Sequence, residues 1–101
     1  MNLFVYGSLQ DAECYYQVTG VHRQEKRRAL LEGYALGEPV DGFPAIYPDD
    51  EGKVEGEVLL EVTAGEFEQL DAYEGAGYRR VIVSVHGEGK WMEAYAYAGI
   101  C

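Results

Sequence analysis

The most regular pattern of nonpolar and polar positions runs from residue 54 to residue 62. Nonpolar residues or glycine occupy every second position, and glutamates occupy three of the positions between them. Alternation with a period of two is typical of a β-strand that buries one face. Gly56 lies on the nonpolar face, where a glycine marks a bulge or a close approach of another group to the backbone. The pattern therefore predicts a half-buried strand.

Further nonpolar segments predict a mainly β protein. Extended structure is expected at residues 3–6, 29–36 (with an interruption at Gly33), 45–47, 80–86 and 91–98. The sequence Gly87-Glu88-Gly89 is typical of a tight turn, so it predicts an antiparallel hairpin between the last two strands. A second turn is expected at residues 49–52, where three adjacent carboxylates lack the alternating spacing of a calcium loop.

One strong helix and one weak helix are predicted. Thr63 and Glu66 have the spacing of a capping box, which opens a helix that continues to about Tyr73 and ends near Gly75. Residues 9–17 are a weaker candidate. Short strands with turn-rich connections favour an α+β fold, in which helices pack outside a strongly curved mixed sheet or small barrel.

Length and charge limit the functional classes. The 101 residues suit one domain over residues 1–101, and no apolar run approaches the roughly 20 residues of a membrane helix. The first residues lack the pattern of a secretory signal, so a cytoplasmic location is predicted. A formal charge of −10 would repel nucleic acids and anionic membranes, and neither is an expected partner.

A few local features leave room for chemistry. The basic residues between Arg23 and Arg28 are either a solvated face or a contact for a phosphate or a partner. Cys14 and Cys101 are far apart and have no Cys/His spacing, so neither a disulfide scaffold nor a metal site is expected.

Glu74 occupies a position where the helical pattern predicts a nonpolar residue. It follows Phe67 and Leu70 with the i, i+3, i+7 spacing of one helix face. Burial and the negative end of the helix dipole would both raise the pKa of a carboxyl group there. A carboxyl group that titrates near neutral pH can serve as a general base and acid. Alternatively, Glu74 forms an ion pair with Arg79 or Arg80.

The segment Tyr6-Gly7-Ser8-Leu9 follows the first predicted strand. A strand that ends at glycine and then turns can present consecutive backbone amides to an anion, although it can equally be a plain turn. Tyr78, Tyr95 and Tyr97 belong to the late strands, where their rings either form the wall of a pocket or pack in the core.

Taken together, these segments resemble the γ-glutamyl cyclotransferase-like superfamily, particularly its γ-glutamylamine cyclotransferase branch and related small bacterial proteins. In chain order, the matching segments are Phe4-Val5-Tyr6-Gly7-Ser8-Leu9, residues 29–34, Gly42-Phe43-Pro44-Ala45, residues 54–58, Leu70-Asp71-Ala72-Tyr73-Glu74-Gly75, Tyr78, Arg80 and Tyr95-Ala96-Tyr97. The blocks occur in the same order as in the family and span nearly the whole chain.

The resemblance implies a barrel-like mixed sheet of about six or seven strands with one or two flanking helices and a cavity for a γ-glutamyl group. It implies that Glu74 is the catalytic carboxylate. The substrate-binding residues that it implies are Tyr6, Gly7, Ser8, Leu9, Tyr78, Arg80 and Tyr97.

The implied reaction closes the γ-glutamyl group to 5-oxoproline and releases an amine or amino acid, without a metal ion or cofactor. The expected partner is a small-molecule γ-glutamyl substrate, and the protein is expected to be a monomer or homodimer. The same cavity in a non-catalytic binding module for a small carboxylate metabolite is the alternative, because a fold does not guarantee a chemistry. A hydrolase with Ser8 as nucleophile is disfavoured, since the sequence offers no nearby histidine.

Overall fold

Five strands close into a barrel in the computed structural model, which describes residues 1–23 and 25–100. The strands are β1 (Leu3–Val5), β2 (Arg27–Leu36), β3 (Ile46–Leu59), β4 (Tyr78–Gly87) and β5 (Lys90–Gly99), in the spatial order β1-β3-β2-β4-β5. Only the β1–β5 pairing is parallel, so the sheet is mixed. The helices are α1 (Ala12–Thr19) and α2 (Ala64–Glu74). The α+β barrel with flanking helices is confirmed.

The expected six or seven strands become five because the predicted turn at residues 49–52 is wrong. These residues lie within β3, between residues 46–48 and 53–58, which pair with β2, and they have no partner in that register themselves. Gly33 (φ +89°) forms a bulge in β2, which shifts the register between Glu32 and Tyr34 and lets the pairing resume at Pro48. In the described pairings β1 contacts only residues 57–59 of β3, so the edge of β3 at Pro48 that faces away from β2 has no partner strand. A proline, which has no backbone N–H, is tolerated at such an edge.

Local capping determines where both helices begin. The Thr63 side chain accepts a hydrogen bond from the Glu66 amide at 3.2 Å, as the capping-box pattern predicts. The carboxylate of Asp11 accepts from the Glu13 amide at 3.1 Å, so α1 begins at Ala12 and not at residue 9. Gly20 ends α1 with a φ of +74°. Among the described residues, no helix has the length and apolarity required to cross a bilayer.

The core has two parts, one inside the barrel and one beneath the helices. The inner part is built on residues such as Phe4, Val58 and Val85, and the outer part includes Phe67 and Leu70 of α2. Gly56 lies between β1 and the inner core. A Cβ atom at Gly56 would lie 2.3 Å from the Val5 carbonyl oxygen and 2.7 Å from the Phe4 ring. The close approach predicted at this glycine is confirmed.

Arg23 stabilises the junction of α1, β3 and α2. Its guanidinium forms two hydrogen bonds with the Glu66 carboxylate, at 2.8 and 3.0 Å, and donates to the carbonyls of Leu60 and Glu61. Glu66 is only 6% exposed and also accepts the Tyr15 hydroxyl proton. Arg23 is therefore part of a structural ion pair, and the expectation of a solvated face is wrong for this residue. Cys101 lies outside the described residues.

Candidate functional site

A cavity of about 180 Å³ opens beside the barrel between the end of β1, the C-terminus of α2 and the loop that precedes β3. Four parts of the chain contribute its walls, which are mainly nonpolar. The lining residues are Phe4, Val5, Tyr6, Gly7, Ser8, Leu9, Val40, Asp41, Phe43, Pro44, Tyr73, Glu74, Tyr78 and Tyr97. Seven of the eight site residues predicted from the sequence are thus brought together, and Arg80 is not among them.

The loop from Tyr6 to Leu9 forms one wall of the cavity. The chain leaves β1 after Val5 and turns at Gly7 into a short 3₁₀ turn, Ser8–Gln10. The first hydrogen bond of this turn runs from the Gln10 amide to the Gly7 carbonyl at 3.0 Å. The amides of Ser8 and Leu9 precede it and have no acceptor within the turn.

A two-residue hairpin and the residues beside it contribute another part of the wall. Val40 and Phe43 exchange both backbone hydrogen bonds at 2.9 Å, and the central residues Asp41 and Gly42 have φ values of +50° and +82°. Positive φ at both positions is the conformation of a type I′ turn, which an Asp-Gly dipeptide favours. The hairpin is held in place by the Tyr78 hydroxyl, which donates to the Pro44 carbonyl at 2.7 Å.

Glu74 is the last residue of α2 and lies half-buried in the cavity wall. Burial is the one cause that raises the pKa of its carboxyl group, from 4.5 to about 7. No described residue lowers this pKa through a hydrogen bond or an ion pair. The alternative of an ion pair with a neighbouring arginine is wrong for Arg80, whose guanidinium lies 3.6 Å from Asp71 instead.

Four tyrosines line the cavity, and three of them direct their hydroxyl protons to acceptors within the protein. Tyr6 donates to the Tyr97 carbonyl at 2.6 Å, Tyr97 donates to the Asp71 carboxylate at 2.6 Å, and Tyr78 donates to Pro44. Burial raises the pKa of Tyr6 and of Tyr97, so both phenols stay protonated at neutral pH. Because each proton is already donated, these hydroxyls do not stabilise the charged form of the nearby glutamate.

Arg80 lies outside the cavity, against α2. Its guanidinium packs against the rings of Phe67 and Tyr95, 4.6 and 4.8 Å from their centroids, and lies beside Asp71. A cation held between two rings and a carboxylate has little freedom to reach a ligand. The expectation that Arg80 touches substrate directly therefore has no support in this arrangement.

Sequence reasoning missed the hairpin and the residue before the glutamate. Val40, Asp41, Phe43 and Pro44, and likewise Tyr73, Phe4 and Val5, line the cavity without having been predicted to do so. The Asp41-Gly42 dipeptide is a hairpin signal that could have identified the first four as a structured loop. Nothing in the local pattern shows that this loop lies over the cavity.

Comparisons with known proteins agree on the family. The model of the family "Gamma-glutamyl cyclotransferase, AIG2-like" matches residues 3–99. A curated relative, AIG2-like protein A of Arabidopsis thaliana, is 41% identical over 86 residues, which cover 83% of this chain and 51% of that protein. The chain thus spans about half the length of the curated relatives it matches.

Solved structures show the same fold. A solution structure of another Arabidopsis thaliana protein has a TM-score of 0.86 and 36% identity, covering 98% of this chain and 68% of the other. A structure named gamma-glutamyl cyclotransferase has a TM-score of 0.73 and 17% identity, covering 98% and 66%. At that identity, the likeness to the second structure shows the fold alone.

Proposed function

Because the chain belongs to the gamma-glutamyl cyclotransferase, AIG2-like family, we propose that it cyclises a γ-glutamyl compound to 5-oxoproline and releases an amine or amino acid. Glu74 is the proposed general base and acid. The observation that carries this proposal is a carboxyl group in the cavity wall with a pKa near 7, raised by burial. About half of such groups are ionised at pH 7, so both the base and the acid form are available.

The proposed chemistry requires few groups. The substrate's α-nitrogen attacks its own γ-carbonyl carbon, a C–N bond forms, and the bond from that carbon to the leaving nitrogen breaks. The α-ammonium loses two protons on becoming the lactam N–H, and the leaving nitrogen gains two on departing as an ammonium. Glu74 carries each proton from one nitrogen to the other, so no metal ion or organic cofactor is needed for proton balance.

The cavity contributes orientation and a local charge pattern. A cavity of about 180 Å³ accommodates one small molecule in a folded-back conformation, and holding two reacting groups in place can contribute about 7–11 kcal/mol. The amides of Ser8 and Leu9 are the proposed donors for the substrate's carboxylate or for the oxygen that becomes negative during attack. The leaving group would extend past Asp41 and Phe43 at the hairpin.

The direct test compares Glu74→Gln with Glu68→Gln, which removes an exposed carboxylate from the same helix. A panel of γ-glutamyl amines, peptides and isopeptides is incubated with each variant, and 5-oxoproline is measured by mass spectrometry. We expect wild type and Glu68→Gln to release 5-oxoproline from at least one compound, and Glu74→Gln to lose the activity by about 10²-fold or more.

Two outcomes would contradict the proposal. Undiminished release by Glu74→Gln would remove Glu74 from its role. Binding of γ-glutamyl compounds by the wild type without any 5-oxoproline would identify the protein as the non-catalytic binding module.

A further inference from the structure

Asp71 and Glu74 lie one helical turn apart at the end of α2, so their side chains extend from the same face of the helix. Glu74 lines the cavity, whereas Asp71 does not. Asp71 uses both of its oxygens. One accepts the Tyr97 hydroxyl proton at 2.6 Å, and the other lies 3.6 Å from the Arg80 guanidinium. A chain of contacts thus connects Arg80 outside the cavity to Tyr97 in its wall.

Arg80 fixes the outer end of this chain of contacts, away from the cavity. The Phe67 and Tyr95 rings both contact its guanidinium, and Arg80 lies opposite Tyr97 in the β4–β5 pairing. Asp71 is therefore held between a fixed cation and a buried phenol. An exposed carboxylate on a helix is ordinarily free to choose among rotamers, and these two contacts restrict that choice.

The contact with Asp71 determines whether the Tyr97 hydroxyl donates or accepts a hydrogen bond with a ligand. A phenol has one proton to donate, and Tyr97 gives it to a carboxylate, which is the stronger kind of acceptor. The remaining lone pair of the oxygen can only accept a hydrogen bond. A ligand group that contacts this oxygen must therefore be a donor.

The other polar groups of the cavity favour the same kind of ligand group. The ionisable side chains in its wall, besides the tyrosines, are the carboxyl groups of Asp41 and Glu74, and no basic side chain of the described residues lines it. The Tyr6 and Tyr78 hydroxyls also donate their protons to the protein. A cationic donor such as an ammonium group matches acceptors on this side of the cavity.

We propose that Asp71, held by Arg80, is a positioning residue that orients the Tyr97 hydroxyl to accept a hydrogen bond from the ammonium group of the ligand. The ligand's identity as an amino-acid head group rests on the proposed function, but the orientation of the hydroxyl does not. In this arrangement Asp71 acts through Tyr97 and touches no ligand atom. Arg80 thus has a defined part in the site despite lying outside the cavity.

The test measures binding of two probes that differ only in the α-amino group, L-glutamate and glutarate. Neither has an amine leaving group, so binding is measured by calorimetry without turnover. The measured quantity is the ratio of the two dissociation constants. Tyr97→Phe and Asp71→Ala should each lower the preference for L-glutamate by about 10-fold or more, as expected for a lost hydrogen bond to a charged group. Affinity for glutarate should change less than about twofold.

Three further variants separate positioning from a structural role. In the Tyr97→Phe background, Asp71→Ala should cause no additional loss of preference, because the two residues act in sequence. Asp71→Asn keeps an oxygen acceptor and should retain most of the preference. Glu68→Ala, which removes an exposed charge from the same helix, should leave the ratio unchanged.

Each contrary result has a distinct meaning. Equal weakening of both probes by Asp71→Ala would overturn the positioning role in favour of a structural one. A further loss of preference in the Tyr97→Phe background would show that Asp71 acts independently of Tyr97. Failure of the wild type to bind or prefer L-glutamate would overturn the inference as well. Preference for L-glutamate without 5-oxoproline formation would contradict the proposed enzymatic activity but would leave the proposed role of Asp71 unaffected.

Discussion

Replacing Glu74 with glutamine should stabilise the folded protein at alkaline pH while removing the proposed proton carrier. Burial raises the pKa of this carboxyl group to about 7, compared with an ordinary value of 4.5 in the unfolded chain. Between these two pH values the folded chain holds a proton that the unfolded chain has lost. The free energy of unfolding therefore falls as the pH rises through this window. Glutamine has nearly the same shape and carries no charge at any pH.

The expected gain follows from the size of the pKa shift. A rise from 4.5 to about 7 corresponds to about 3.4 kcal/mol between the two protonation states. Solvent reaches the half-buried carboxylate through the mouth of the cavity and screens part of this cost, so about 1–2 kcal/mol remains. For a domain of this size the gain corresponds to a rise in Tm of about 5–10 °C at pH 8.

Thermal and urea unfolding, followed by far-UV circular dichroism at pH 4.5 and pH 8, would measure this effect. Glu74→Gln should match the wild type at pH 4.5 and be more stable at pH 8. Glu68→Gln removes the same charge from an exposed position of α2. It controls for the general reduction of charge repulsion in a chain with a net charge of −10. The reasoning is refuted if Glu74→Gln gains no more than this control, or gains equally at both pH values.

Two other substitutions test the packing that supports the cavity. Gly56→Ala should destabilise the protein by about 2–3 kcal/mol in urea unfolding, because the added Cβ would collide with the Val5 carbonyl oxygen at 2.3 Å. Gly65→Ala is the matched control, since its nearest neighbour is 3.9 Å away, and a loss of similar size there would contradict the steric explanation. Arg23→Gln should cost about 3 kcal/mol at pH 7 by leaving the Glu66 carboxylate buried without its cation. Hydrogen bonds from Arg23 lower the pKa of Glu66, so the ion pair stops stabilising the protein as the pH falls below the ordinary pKa range of a glutamate. A loss of stability in Arg23→Gln that is as large at low pH as at pH 7 would contradict this explanation.

The sequence predicted best the elements that local signals define. Helix α2 follows from the capping residue Thr63 and from glycines after Glu74, and the β4–β5 hairpin follows from alternation around a glycine-rich turn. Glu74 was identified because a charge in a nonpolar helix stripe contradicts the local pattern. These features depend on neighbours within a few residues.

The features that sequence missed depend on contacts between distant segments. Residues 49–52 have the composition of a turn, but they lie within β3, between the two stretches that pair with β2 on either side of the bulge at Gly33. The basic residue Arg23 looked solvated because its partner Glu66 is 43 positions away. Likewise, Arg80 belongs to a matching family segment, yet only the folded chain shows that it contacts Asp71 instead of the cavity. Local composition carries no information on any of these three contacts.

The central claim is that Glu74 is a half-buried carboxyl group poised between its acid and base forms. A ¹³C NMR titration of the glutamate side-chain carboxyl carbons, with the Glu74 signal assigned by its loss in Glu74→Gln, measures this directly. We predict a titration midpoint near pH 7 for Glu74. A midpoint near 4.5, the value of an ordinary exposed glutamate, would contradict the claim.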